Sequence, residues 1–137
     1  MVDSQFLVGH SIYLSVPDIE KIDIQEWSSW YNDLALTQFN SHGVFPVNTA
    51  QEMEFIASAS MDSSKILLAV IDKKNDDLVG NISLQNINFF NKKAEIAITI
   101  RREAPPSANI ESMGLMISHG FERLNLNRIY GACDENL

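Results

Sequence analysis

The order in which the hydrophobic period changes along the chain constrains its fold more than any other feature. Residues 11–16 alternate apolar and polar side chains up to Pro17, and this pattern predicts a half-buried strand. From Glu26 onward the period becomes that of a helix, with one apolar face made of Trp27, Trp30, Tyr31 and Leu34. We expect this face to pack into the core.

A second helix is predicted to begin at Thr49. The sequence Thr49-Ala50-Gln51-Glu52 has the form of a capping box, in which the hydroxyl of Thr49 and the carboxylate of Glu52 each accept a hydrogen bond from an otherwise unpaired backbone amide. We expect its buried side to consist of Met53, Ile56 and Ala57.

Three strands are predicted to follow in succession. The apolar segment 65–72 ends in the turn-forming residues 73–77, and a new strand begins at Leu78. After a second turn at residues 88–93, the segment 94–101 alternates strictly between apolar and mixed side chains. Short turns between such strands favour antiparallel pairing.

The last third of the chain predicts one helix and one strand. After Pro105-Pro106, an apolar stripe at helical spacing is formed by Ile110, Met113, Ile117, Phe121 and Leu124. A short strand is predicted at residues 128–132. The predicted order is β, α, α, β, β, β, α, β, which indicates an α+β fold: a mixed, mostly antiparallel twisted sheet with helices on both faces.

Size and charge exclude several classes of protein. The chain has 137 residues, which predicts a single domain over residues 1–137. The net charge of −8 disfavours binding to the phosphate backbone of nucleic acids. The longest apolar run, Ile66–Ile71, is far shorter than the roughly 20 residues of a membrane span, and the lone Cys133 suits a reducing compartment, so we expect a cytoplasmic protein.

Several segments resemble the GNAT superfamily of acyl-CoA-dependent N-acetyltransferases, in particular its ribosomal-protein N-terminal, spermidine and amino-sugar acetyltransferases. The segments that carry the resemblance are 30–33 (WYND), 40–43 (NSHG), 79–84 (VGNISL), 94–98 (AEIAI) and 120–130 (GFERLNLNRIY). The resemblance covers almost the whole chain. It implies a sandwich of helices around a sheet, with acetyl-CoA as co-substrate and a small-molecule amine as acceptor.

The resemblance also implies where acetyl-CoA binds. The strand residues Ile98, Thr99 and Ile100 would present backbone amides to the thioester and pantetheine. The pyrophosphate would lie at the start of the following helix, on the amides of Ser107, Ala108, Asn109 and Ile110. Arg101 and Arg102 flank this loop in the sequence and could pair with the phosphates, or they could be surface arginines with no special role. Asn136 is a further cofactor-binding candidate. The family's phosphate loop usually contains glycines, whereas residues 104–109 here contain none.

Candidate catalytic and acceptor-binding residues follow from the same resemblance and from side-chain chemistry. Glu95 could accept the proton of the amine through water, or it could be a solvated strand residue. His42 could act as a base or grip the acceptor, or it could be an ordinary turn histidine. The acceptor-binding candidates are Trp30, Asn40, His42, Asn81 and Ser83. The helical spacing of Trp30 also favours a core position, and no residues have the spacing of metal ligands.

The leading hypothesis is acetyl transfer to a small primary amine. The Ser41-His42-Gly43 segment resembles acetyltransferases of surface-polysaccharide pathways, which suggests a nucleotide-linked amino sugar. The alternatives are a protein N-terminus or a polyamine as acceptor, and a catalytically impaired module that keeps only the fold. Relatives continue with a further helix and strands, so we also expect a homodimer that pairs through the uncovered C-terminal strand edge, residues 128–132.

Overall fold

The computed structural model describes residues 5–33 and 46–131. Its six strands are β1 (Gln5–Val8), β2 (Ile12–Ser15), β3 (Ile66–Asp72), β4 (Leu78–Asn88), β5 (Lys93–Ile100) and β6 (Arg128–Tyr130). Its helices are α1 (Ile24–Tyr31), α2 (Thr49–Met61) and α3 (Ala108–Glu122).

All six strands form one sheet in the order of the sequence, β1-β2-β3-β4-β5-β6. Every neighbouring pair is antiparallel except β5 and β6, which are parallel because α3 crosses over between them. This arrangement confirms the predicted α+β class, the mostly antiparallel mixed sheet and the single helical crossover.

One strand was not predicted from the sequence. β1 pairs with β2 at the edge of the sheet, and its side chains at Phe6 and Val8 are largely exposed. It carries no clear alternation of apolar and polar residues, so its period gave no signal. The expectation that β2 is half-buried is also wrong, because all four of its residues are buried between helices on both faces.

The first turn of α2 differs from the prediction by one residue. The capping box is formed by Asn48 and Gln51, whose side chains each accept a hydrogen bond from the other residue's amide at 2.8–2.9 Å. The buried side consists of Glu52, Ile56 and Ala59. Met53 and Ala57 face outward instead, because the helix is rotated relative to the predicted face.

The predicted apolar stripe of α3 is only partly packed: Met113 and Leu124 lie against the core, but the fully buried face of the helix is a different one. The residues packed under the helix are Ala108, Ser112, Met116 and Gly120, whereas Ile110 and Phe121 are 79% and 43% exposed. Small residues allow the helix to lie close to the sheet: a Cβ on Gly120 would stand 2.6 Å from the side chain of Ile129. Bulky side chains are displaced to the flanks of this contact.

The sheet separates two apolar clusters. On one face, α3 packs against alternate residues of the central strands such as Leu68, Ile82 and Leu84. On the other face, α1 and α2 pack against Leu67, Ala69 and their neighbours. Within the described residues, no helix is long and apolar enough to cross a membrane.

Candidate active site

Among residues 5–33 and 46–131, the outer edge of β5 has a partner strand only at its first three positions. β6 is only three residues long, and it pairs with β5 at Lys93, Ala94 and Glu95. The amide of Arg101 donates to the carbonyl of Val79 on β4 at 2.8 Å. Since amides alternate in direction along a strand, those of Ile98 and Ile100 face the open edge, whereas that of Thr99 faces β4.

The connection after β5 leads from Ile100 to the start of α3 at Ala108, and the N-terminus of this helix carries free amides. The amide of Ala108 donates to the carbonyl of Pro105 at 2.9 Å, and Pro106 has no N–H. Within the described residues, no acceptor is bonded to the amides of Ser107, Asn109 and Ile110. These amides, together with the dipole of a 15-residue helix, fit an anionic group such as a pyrophosphate even without loop glycines.

Glu111 ties this helix end to the turn between β1 and β2. Its Oε1 accepts hydrogen bonds from the amides of His10 and Ser11, both at 2.8 Å, and its Oε2 accepts one from the hydroxyl of Ser107. Burial alone would raise the pKa of Glu111, but these hydrogen bonds outweigh it and lower the pKa to about 2. Gly9 permits the contact, since a Cβ there would lie 2.7 Å from the carboxylate.

The face of β4 directed away from α3 carries a buried polar row that includes two of the acceptor-binding candidates. Asn81 is 3% exposed and Ser83 is 7% exposed. The hydroxyl of Tyr31 donates to Oδ1 of Asn81 at 2.9 Å, and it also bonds to Thr99 across the strand pair. Burial raises the pKa of Tyr31 far above its ordinary value, so its hydroxyl stays protonated.

Glu95 lies on this polar face, at the last position where β5 is paired with β6. Its Oε1 accepts a hydrogen bond of 2.6 Å from Nε2 of Gln85, the residue directly opposite on β4. The carboxylate is therefore oriented and half-buried, at the point where the open edge of β5 begins. It is not the freely solvated strand residue of the alternative interpretation.

Trp30 belongs to the core. It is 3% exposed and packs against Trp27 with their ring centroids 5.9 Å apart. The indole N–H of Trp27 donates to the buried carboxylate of Glu52 at 3.1 Å. The structure therefore supports the core interpretation of Trp30, and not direct contact with an acceptor.

The two arginines after β5 are not directed at the start of α3. Arg101 lies on the α1 face, where Nη1 is 2.7 Å from Oε1 of Glu26. It lines a cavity of about 390 Å³ that also contains Asp18, Asp23 and Asp77. Arg102 is exposed, and its Nη2 lies 3.9 Å from Oδ2 of Asp33. The prediction that these side chains pair with cofactor phosphates finds no support in this arrangement.

The remaining candidates lie outside the described residues. These are Asn40, His42 and Asn136, together with Leu34 and Cys133. Their roles stay predictions. In the part of the chain that the structure describes, no three His, Cys, Asp or Glu residues are grouped so that they could hold a metal ion.

Three contributors to the site were not predicted from the sequence. One is Glu111, although a serine and a glutamate separated by one helical turn, as Ser107 and Glu111 are, could have signalled their contact. The bond between Gln85 and Glu95 depends on the register of β4 and β5, which periodicity leaves open. The role of Tyr31 depends on α1 docking over Asn81, a long-range contact.

Comparison with solved structures supports the same fold. The microcin C7 self-immunity acetyltransferase in complex with acetyl-CoA and AMP matches with a TM-score of 0.76 and 17% identity, covering 97% of this chain and 76% of that one. Spermidine N-acetyltransferase from Vibrio cholerae, in complex with CoA and spermine, matches with a TM-score of 0.71 and 19% identity, covering 87% and 69%. A GNAT-family acetyltransferase from Bacillus anthracis matches with a TM-score of 0.73 and 18% identity, covering 90% and 70%.

A search of curated proteins finds no significant match. The family model described as "Acetyltransferase (GNAT) domain" matches residues 13–136, nearly the whole chain. The open edge of β5 and the uncapped start of α3 agree with this match, since both suit the binding of acetyl-CoA as co-substrate. The chain therefore belongs to the GNAT family of N-acetyltransferases.

Proposed function

We propose that this protein transfers the acetyl group of acetyl-CoA to the primary amine of a small acceptor that carries oxygen substituents next to the amine, specifically a nucleotide-linked amino sugar. The acceptor would lie on the polar face of β4 and β5, opposite α3. The thioester would reach this face at the open edge of β5.

The observation that carries the proposal is the side-chain nitrogen of Asn81. Its Nδ2 is buried and has no hydrogen-bond partner among the described residues, although Oδ1 of the same amide is bonded to Tyr31. A buried donor without a partner costs about 1 to 3 kcal/mol. A ligand oxygen placed against Asn81 would remove that cost, and a sugar hydroxyl can supply one. An ammonium group cannot, because it has no acceptor lone pair.

The proposed chemistry uses backbone amides at the outer edge of β5 and a side chain on the polar face of the same strand. An amide at the open edge of β5, from Ile98 or Ile100, donates to the thioester oxygen as negative charge develops there. The neutral amine attacks the carbonyl carbon and a C–N bond forms. The C–S bond then breaks with its electron pair on sulfur, so that coenzyme A leaves as a thiolate and takes up a proton from solvent. Glu95, oriented by Gln85, accepts the proton lost by the amine through a water molecule.

A polyamine is the competing acceptor, and the net charge of −8 favours it. Spermidine acetyltransferases are among the proteins of similar structure. A protein N-terminus is a further alternative, since its peptide carbonyl could also accept a hydrogen bond from Asn81. We favour the sugar because of the segment 41–43 and the free donor of Asn81.

The test is acetyl transfer across a panel of amines: a nucleotide-linked amino sugar, spermidine and a peptide with a free N-terminus. We expect the highest kcat/KM for the sugar. Asn81→Asp should shift the preference toward spermidine, because it replaces the donor by a carboxylate while leaving an acceptor for Tyr31. Tyr31→Phe is the comparison variant: it removes the donor to Oδ1 of Asn81 and the bond to Thr99, but it leaves Nδ2 of Asn81 in place. Turnover of spermidine alone by the wild-type protein would refute the proposal.

The candidate of another class is a GNAT-fold module without turnover, which the glycine-free loop 104–109 favours. Two measurements distinguish this module from an active enzyme: calorimetric titration with acetyl-CoA, and an assay of acetyl transfer to the same panel of amines. Binding without transfer to any amine would favour the module. Binding with transfer would support the enzyme.

We further propose that the protein is cytoplasmic and self-associates through the outer edge of β6. In the described part of the chain, β6 pairs on one side only, with β5. Its residues Arg128–Tyr130 include no proline that would block the addition of a strand. Sedimentation should reveal a dimer, and a strict monomer at all concentrations would refute this pairing.

A further inference from the structure

The turn between β4 and β5 exposes two adjacent aromatic side chains. Phe90 is 94% exposed and Phe89 is 56% exposed. Single apolar side chains are common on protein surfaces, whereas two aromatic rings in one turn form an apolar patch that suits a partner. We call residues 88–93 the β4–β5 tip.

The β4–β5 tip is held in a defined shape. Within it, the amide of Asn91 donates to Oδ1 of Asn88 at 2.9 Å. The carbonyl of Lys92 accepts the amides of Asn127 and Arg128 at 2.7 and 3.1 Å, which ties the tip to the chain at the start of β6. A partner that binds the tip therefore has little backbone to order.

The tip is also positively charged, in a protein whose net charge is −8. It contains Lys92 and Lys93, and Arg128 lies opposite Lys93 in the pairing of β5 with β6. Within residues 5–33 and 46–131, none of these three side chains forms an ion pair. Aromatic rings beside unpaired cations fit a partner surface that is apolar and carries carboxylates.

Such a surface is present at the other end of the sheet, in the cavity of about 390 Å³ beside Arg101, which we call the Arg101 cavity. Its apolar lining includes Val16, Ile22 and Leu78. Its volume lies within the range of pockets that hold small organic groups. Carboxylates outnumber cations in its lining: Asp18, Asp23, Glu26, Asp76 and Asp77 against Lys21 and Arg101.

The tip of a molecule cannot reach the cavity of the same molecule. β4 begins at Leu78 in the lining of the cavity and ends at Asn88 in the tip, and its 11 residues span about 35 Å. A tip can enter this cavity only from a second copy. Two copies repel each other through their net charge, but this orientation brings unlike charges together.

From these observations we propose that the β4–β5 tip of one molecule docks into the Arg101 cavity of a second, with Phe90 against the apolar lining and Lys92 and Lys93 facing the carboxylates. The two surfaces differ, so each docked molecule keeps a free tip or a free cavity, and the contact can continue into longer assemblies. The inference is independent of acetyl-CoA and of the acceptor. It also differs from pairing through β6, which would join two identical edges.

The first experiment is sedimentation velocity of the full chain over a series of concentrations. Phe90→Ser should weaken association at least tenfold, because the ring that fills the cavity is lost. Met61→Ser is the matched control, since it removes an apolar side chain that is 87% exposed on α2. It should associate like the wild type.

Asp77→Lys tests the cavity, and here general charge and docking predict opposite results. The change reduces the net negative charge by two, so weaker repulsion alone would strengthen association. Docking predicts association at least tenfold weaker, because the new cation faces Lys92 and Lys93. Glu54→Lys, on the exposed side of α2, makes the same change of charge away from the cavity.

Mixing Phe90→Ser with Asp77→Lys decides between docking and the pairing of identical edges. The first variant keeps an intact cavity and the second an intact tip, so an equimolar mixture should form a complex that neither variant forms alone. Identical edges cannot complement each other in this way. Thermal midpoints report whether the variants fold, and Asp18→Lys replaces Asp77→Lys if that variant does not.

Three results would each overturn the inference: a wild-type protein that is monomeric at all concentrations, association that the cavity variant leaves unchanged, or a mixture that forms no new complex. Vesicles of anionic lipid provide the remaining comparison. If the wild type stays monomeric and binds these vesicles through Phe90, the tip contacts a lipid surface and the proposed docking is wrong.

Discussion

The two faces of the sheet differ in what they bury, although the same strands build both. Toward α3, β4 presents Ile82 and Leu84, which lie in a continuous apolar cluster. Toward α1 and α2 it presents Asn81 and Ser83, equally buried but polar. Burying polar groups lowers stability unless each is bonded, so a polar row within a sheet covered on both faces indicates a use other than folding.

The largest expected effect is a loss of stability, and it tests which face of α3 is buried. Met116→Asp should lower the free energy of unfolding by about 3 to 5 kcal/mol, because Met116 is fully buried and has no partner for a charge. Ile110→Asp is the matched control on the same helix, at a position that is 79% exposed. Urea unfolding measures both, and equal losses would contradict the assignment of the faces.

Glu95→Gln should lower kcat about a hundredfold, with little change in acetyl-CoA binding. The amide can still accept the hydrogen bond of Gln85, so the geometry is kept while the proton acceptor is lost. Glu122→Gln, an exposed change at the end of α3, is the control. A wild-type rate across the pH range for Glu95→Gln would remove Glu95 from the mechanism.

Tyr31→Phe should destabilise the protein by about 1 to 3 kcal/mol, because it leaves the buried oxygen of Asn81 without its donor. Tyr130→Phe, on half-buried β6, should cost much less. Thermal unfolding of the two variants provides the comparison. If Tyr31→Phe is neutral, the polar row does not depend on this bond.

The last of these effects is a dependence of stability on pH. The pKa of Glu111 is about 2 in the folded protein and about 4.5 ordinarily, so its ionised form stabilises the fold above pH 4.5. That contribution should fall as the pH drops from 4.5 toward 2. The difference in thermal midpoint between wild type and Glu111→Gln should therefore shrink over this window. A difference that stays constant there would show that the carboxylate is not held as described.

Periodicity was sufficient to predict the central strands and the crossover helix, because β3, β4, β5 and α3 each repeat a clear pattern. It failed for β1, which has no buried face of its own, and for the orientation of α3. The apolar stripe through Ile110 and Phe121 is real in the sequence, but Gly120 and Ala108 lie against the sheet because they are small. Tertiary packing, and not hydrophobicity alone, selects the buried face.

Site residues could be predicted from the sequence where their position depends only on the alternation of side chains within one strand. Contacts between two elements could not be predicted in this way. Asn81 and Glu95 followed from alternation within β4 and β5. The bond from Gln85 to Glu95 needs the strand register, and the contact of Ser107 with Glu111 needs the side-chain direction at a helix end. Arg101 was predicted to pair with the phosphates of coenzyme A because it lies next to the loop 104–109 in the sequence. In the structure it pairs with Glu26 instead.

The central claim is that the open edge of β5 and the uncapped start of α3 together bind coenzyme A. The most direct measurement is a titration of the ¹⁵N-labelled protein with coenzyme A, followed by backbone amide chemical shifts. Within the described residues, we predict the largest saturable shifts at Ile98, Ile100, Asn109 and Ile110. Shifts centred instead on the cavity lined by Asp18 and Arg101, or no saturable shift at all, would contradict the account.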